Sequence, residues 1–111
     1  MKERKVIYFK LTNAKVPFID WMAKLKDKRA EAKIDIRIRR ATLGNFGDQK
    51  GPGDGLIELR IPFGPGYRVY LAIENEETIL LLIAGDKSSQ KKDVLTAKKY
   101  LQEWRSRHEW F

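Results

Sequence analysis

Residues 79–84 read Ile-Leu-Leu-Leu-Ile-Ala, and no other stretch of the chain limits its folding so strongly. A strand at a sheet surface alternates apolar and polar side chains, whereas one that is apolar at every position must be covered on both faces. The run is far shorter than the roughly 20 residues that span a bilayer. It is therefore expected to be the central strand of a sheet, with helices over one face at least. Two further strand-like runs, residues 56–63 and 67–74, precede it. They are linked by Gly64-Pro65-Gly66, and the second is tied to the apolar run by Asn75-Glu76-Glu77. Connections this short make an antiparallel meander. The chain has 111 residues, which leaves room for a single domain, 1–111, with one core burying roughly two-thirds of the unfolded surface.

The rest of the chain supplies the covering layer. Residues 5–11, rich in β-branched and aromatic side chains and stopped by Thr12-Asn13, read as a first strand. Pro17 suits a first helical turn, and Phe18, Trp21, Met22 and Leu25 then fall on one helical face, so a helix is expected over 17–27. Ala30, Ile34, Ile38 and Ala41 give a second helix from about residue 29, stopped by Gly44-Asn45. Between 44 and 55 the chain places five glycines and a proline, which predicts a flexible loop. After Gly85, the capping residues Asp86-Lys87-Ser88-Ser89 lead into Val94, Ala97, Leu101 and Trp104, the apolar face of a third helix ending near residue 107. The order β-α-α-β-β-β-α predicts an α+β fold, helices packed on an antiparallel sheet.

Composition removes several classes of function. Apolar residues make up 42% and charged residues 34%, too hydrophobic for a disordered chain and too charged for a membrane protein. The first residues lead into no signal-like apolar segment, so the cytoplasm is the expected compartment and no membrane partner is expected. There is no cysteine and one histidine, so a disulfide or thiolate metal site is impossible and neither a metal nor another cofactor is expected. A net charge of +8 favours a polyanion such as RNA, DNA or an acidic protein.

Three groups of residues are candidates for placing that charge. On the second helix, Lys33, Arg37 and Arg40 stand at i, i+4 and i+7, where like charges repel by a few tenths of a kcal/mol per pair, which suits either an anionic partner or a solvated face. Lys50 in the glycine-rich segment and Lys91-Lys92 at the start of the last helix extend the basic set toward RNA. On the meander, period-two alternation places Glu58 and Arg60 on one face of their strand, and a short turn brings Arg68 beside them. Lys87 follows the last strand at the rim. Cations so placed can hold the phosphate in metal-free RNA cleavage, in which a 2′-hydroxyl attacks the neighbouring phosphorus; the same residues can equally form a cross-strand ion pair.

Phe18-Ile19-Asp20-Trp21, Gly44-Asn45-Phe46-Gly47-Asp48, the run from Gly53 to Ile61, Gly64-Pro65-Gly66-Tyr67-Arg68-Val69-Tyr70 and Gly85-Asp86-Lys87-Ser88-Ser89-Gln90 together resemble the RelE/ParE superfamily of toxin-antitoxin toxins. The chain is most similar to the HigB-like addiction module killer proteins. The resemblance implies a RelE-like, bacterial ribonuclease-like fold and a toxin neutralised by a cognate antitoxin, expected to be a helix-turn-helix protein. Operator DNA would be reached only through that antitoxin. Members resembling RelE and HigB cleave messenger RNA on the ribosome, whereas those resembling ParE poison DNA gyrase without cleaving nucleic acid. By motif, Arg68 corresponds to the arginine that acts on the scissile phosphate and Lys87 to a basic residue after the last strand. Glu58 and Arg60 occupy the strand that carries paired lysines in the RelE branch. The implied catalytic set is Arg68, Lys87, Arg60 and Glu58, with Glu58 or Asp48 taking the 2′-hydroxyl proton. Where those ribonucleases commonly carry a Tyr or His, this chain has Ser88-Ser89-Gln90-Lys91-Lys92-Asp93. His108 reads as a surface residue near the end of the last helix, and Trp104 or Trp110-Phe111 as a contact for the antitoxin.

Overall fold

The computed structural model describes residues 3–108. Five strands form one mixed sheet: β1 (Lys5–Tyr8), β2 (Gln49–Gly53), β3 (Leu56–Ile61), β4 (Tyr67–Glu74) and β5 (Thr78–Asp86), arranged in the order β1-β5-β4-β3-β2. The meander from β3 to β5 is antiparallel as expected, and β1 closes the far edge by pairing parallel to β5. Three helices, α1 (Pro17–Lys24), α2 (Lys28–Thr42) and α3 (Gln90–His108), complete an α+β domain. No helix among the described residues is long and apolar enough to cross a membrane.

Both faces of the sheet are covered. Ile79, Leu81 and Ala84 of β5 join Phe18 of α1 and Ala30, Ile34 and Ile38 of α2 in one core, while Leu80 and Leu82 join Phe9 and Ala97 and Leu101 of α3 in another. Leu80, Leu81 and Leu82 are buried, and burying each such side chain contributes about 1.5–3 kcal/mol. This is why β5 tolerates no polar position along its centre. Tyr70 pairs with Ile83 and Leu71 with Leu81, so Leu82 is an extra residue in β5. That bulge shifts the alternation of the strand's last residues and turns Gly85 toward α3.

Several boundaries differ from the sequence expectation. The first helix ends at Lys24 rather than near 27, because Asp27 caps α2 instead, accepting from the N–H groups of Arg29 at 2.9 Å and Ala30 at 3.3 Å. The first strand ends at Tyr8, although Phe9 still donates its N–H to the Leu81 carbonyl at 2.9 Å. Strand β3 stops at Ile61, where Pro62 has no N–H to continue the ladder. The glycine-rich segment is not a loop throughout: residues 49–53 pair with β3 as an edge strand broken by a bulge. Its glycines permit the sharp return, Gly53 having φ +111 and Gly55 φ +83.

Candidate functional site

The meander end where β3 turns into β4 meets the start of α3. The β3–β4 turn is closed by Gly66, whose N–H donates to the Phe63 carbonyl at 3.1 Å, and Gly66 has φ +80. A Cβ at Gly66 would lie 3.5 Å from both Arg68 Nη1 and Lys87 Cβ, so these two cationic residues flank one point on the turn. Across β3 and β4, Arg60 and Arg68 are directly opposite. Like charges so placed repel unless acids accompany them. Each arginine has one: Asp48 accepts from Arg60 Nη2 at 2.7 Å and from Nε at 3.1 Å, and Glu58 Oε2 lies 3.8 Å from Arg68 Nε. Asp48, Arg60, Ile61, Pro62, Gly66, Tyr67 and Arg68 line a cleft of about 300 Å³.

Glu58 departs from the expectation of an open charged face. It is 1% exposed, because α3 covers that face and Gln90 Nε2 approaches both its carboxylate oxygens at 3.3 Å. Its cross-strand neighbour Tyr70 is also buried, and its hydroxyl has no partner at hydrogen-bonding geometry. Burial first, then the charges of Glu58 and Asp93, push the Tyr70 phenol far above its ordinary range, so it stays protonated. Asp93 accepts from the Ser89 hydroxyl at 2.6 Å, and burial raises its carboxyl. Asp86, by contrast, is lowered chiefly by the hydrogen bond from the Ser88 hydroxyl. Gly85 is required here, since a Cβ would fall 1.9 Å from Asp93 Oδ2.

The three cations of α2 line one cleft but differ in their partners. Lys33 and Arg40 are exposed, and Lys33 Nζ lies 5.0 Å above the Phe63 ring. Arg37 turns inward: its Nη2 donates to the carbonyls of Phe46 at 2.8 Å and Asp48 at 3.0 Å, and its Nη1 to that of Arg60. A guanidinium held by three carbonyls staples the glycine-rich segment to β3, with its charge still beside Lys33 and Arg40. Lys33, Ile36, Arg37, Arg40 and Phe63 line a second cleft of about 270 Å³ that shares Ile61 and Pro62 with the first. Lys50 is exposed on β2 opposite Glu58; Lys87 is exposed before α3, and Lys91 and Lys92 are exposed in its first turn.

His108 lies about 27 Å along α3 from Gln90 at roughly 1.5 Å per residue, stacked on Trp104 at 4.0 Å. Trp104 is half-buried against the core beneath α3, and Trp110-Phe111 lie outside the described residues. Among the described residues no three His, Asp or Glu side chains gather as metal ligands would. Gln90 escaped the sequence reading. It is 32 positions from Glu58, and no local pattern signals such a partner.

No family model matches the chain. An uncharacterized protein of Haemophilus influenzae is 54% identical over 86 residues, which cover 78% of this chain and 87% of that protein. With that identity over most of both chains, this chain belongs to the same family as the Haemophilus influenzae protein.

Proposed function

We propose that the protein is the toxin of a type II toxin-antitoxin module with a RelE-like fold, a ribosome-dependent endoribonuclease acting on messenger RNA in the cytoplasm. The observation that carries this reading is that Arg60 and Arg68 both line the cleft at the β3–β4 turn, with the Lys87 Cβ beside Gly66 at its edge. Arginine forks grip phosphate oxygens bidentately and stabilise the charge that grows on them as a 2′-oxygen attacks. In the proposed step the 2′-oxygen bonds to phosphorus, the bond to the 5′-oxygen breaks, and a 2′,3′-cyclic phosphate and a 5′-hydroxyl result. Asp48, partly exposed on the cleft wall, takes the 2′-hydroxyl proton. Glu58 is sealed from the cleft and does not compete for that role. The expelled 5′-oxygen draws its proton from water. Lys33, Arg40, Lys50, Lys91 and Lys92 contact flanking phosphates, and a helix-turn-helix antitoxin silences the protein by covering the cleft or the helices.

A second reading, a noncatalytic toxin that poisons gyrase, is favoured by one feature. Tyr67, the aromatic residue lining the cleft, is 8% exposed and meets Trp21 edge-on at 5.8 Å, so it offers a base no open ring to stack on. Translating a reporter message in a cell-free system and mapping its 5′ ends separates the two. New ends that need both translation and Arg68 support the ribonuclease. No new ends, together with loss of gyrase supercoiling, overturn it.

A further inference from the structure

A carboxylate that is 1% exposed has lost nearly all its hydration, which costs several kcal/mol unless a cation and hydrogen bonds replace it. Glu58 has one such cation, Arg68, whose own side chain is 11% exposed and would be costly to bury alone. The pair therefore holds together, and its geometry has a direction. Arg68 Nη1 donates to the Gly66 carbonyl at 2.8 Å, while Nε faces Glu58 at 3.8 Å. One hydrogen bond and one longer ion-pair contact orient this planar group without locking it. Among the described residues no acceptor is paired with Nη2, and the side chain lines the cleft.

We infer that Glu58 is the positioning residue for Arg68, and that Gln90 at the start of α3 holds Glu58 in place. The inference rests on the reading of Arg68 as the phosphate-gripping group. The site is loosely set rather than locked. Arg68 Nε and the Tyr70 hydroxyl are buried donors with no partner at good hydrogen-bonding geometry, and both interact with the acceptor-only Glu58 carboxylate. Gln90 reaches that carboxylate only through long contacts of 3.3 Å. The carboxylate must close from 3.8 Å to hydrogen-bond length before it serves Arg68 Nε, and Gln90 in the first turn of α3 is the side chain in contact with it. Long contacts of this kind tighten when a charged ligand arrives.

The test uses Glu58→Gln, which keeps the side chain's shape and removes its charge, read by two measurements. The first is hydrogen exchange at the Arg68 Nε–Hε group, followed by nitrogen-15 NMR on the free protein. It is expected to quicken at least tenfold in the variant. The second is RNA cleavage at saturating and limiting ribosome concentration. The saturated rate is expected to fall at least tenfold and the half-saturating concentration to change less than twofold, because the exposed lysines still bind. If Glu58→Gln does not fold, Gln90→Ala leaves the carboxylate in place and is expected to quicken the same exchange about threefold. Unchanged Arg68 exchange in a folded variant overturns the inference, as does a loss of melting temperature with no change in exchange. Failure of the wild-type protein to cleave RNA overturns the ribonuclease reading instead, and the exchange measurement, made without RNA, still decides the positioning role.

Discussion

Arg37 and Arg68 are both partly withdrawn from solvent, yet they use their guanidinium groups in opposite ways. Arg37 donates to the carbonyls of Phe46, Asp48 and Arg60 and binds one part of the backbone to another. Arg68 has one carbonyl, that of Gly66, and one carboxylate, that of Glu58, with the rest of its fork beside a cleft. Carbonyls saturate a guanidinium without cancelling its charge, which makes a fastener. A carboxylate on one side and open space on the other make a group that is aimed. The same residue type in two regions some tens of positions apart is thus structural in one and a binding candidate in the other, and burial alone does not separate them.

Substitution should separate the two regions. Arg68→Ala is expected to lower toxic activity at least 100-fold, roughly 2.7 kcal/mol of transition-state stabilisation, and to lower thermal stability as well, because it leaves the buried Glu58 carboxylate without its cation. Growth inhibition at matched expression, alongside melting temperature, checks it, and equal toxicity would merge Arg68 with Arg37 as a fastener. Arg37→Ala should cost stability while leaving the phosphate-gripping fork of Arg68 in place. Three carbonyls lose a charged donor, and the fold is expected to lose about 2 kcal/mol, on the order of 10 °C in melting temperature. Faster amide exchange at Asp48 and Arg60 would locate the loss at β2 and β3.

The exposed cations beside Arg37 provide a finer test. Neutralising Lys33 and Arg40 together is expected to reduce the slope of log affinity against log salt for single-stranded RNA by about 1.4, near 0.7 for each phosphate left without its cation. Adding Arg37→Gln should lower the slope by clearly less than about 0.7 more, because its fork is held by carbonyls although its charge stays beside the same cleft. A further fall of equal size would return Arg37 to the basic surface.

The smallest effect concerns the acid beneath the start of α3. Burial raises the Asp93 carboxyl above its ordinary 3.8, so the folded chain holds that proton more tightly than the unfolded chain. Between 3.8 and the raised value the folded state binds more protons, and stability falls as pH rises through that window. Asp86 is lowered and works the other way, its contribution present above its ordinary value and lost on acidification. Asp93→Asn, which can still accept from Ser89, is expected to flatten the fall and leave the protein more stable by a few tenths of a kcal/mol at neutral pH. Urea unfolding between pH 3.5 and 7 measures it.

Much of the scaffold was legible before the structure. The meander, the place of 79–84 within it and the three helices follow from periodicity and turn residues, which act over a few positions. The edge strand β2 was not legible, because its glycines and proline oppose a strand locally and only pairing with β3, stapled by Arg37, makes one. The candidate site was legible in its membership more than in its arrangement. Alternation put Glu58 on the face that carries charge, and α3 then closed that face over it.

The sequence by itself determined that β5 would be covered on both sides, since an apolar strand has no solvent-facing alternative, and that Asp86 would sit where a turn leads into the last helix. Only the tertiary structure decided which cations stay at the surface. Which carbonyl or carboxylate a guanidinium finds depends on the elements brought beside it: Arg37 of α2 meets the segment leading into β2 and the backbone of β3, and Arg68 meets the β3–β4 turn and Glu58 of β3. Periodicity carries the phase of one element, whereas the choice between a fastener and an aimed group lies in contacts between elements, and these no local pattern encodes.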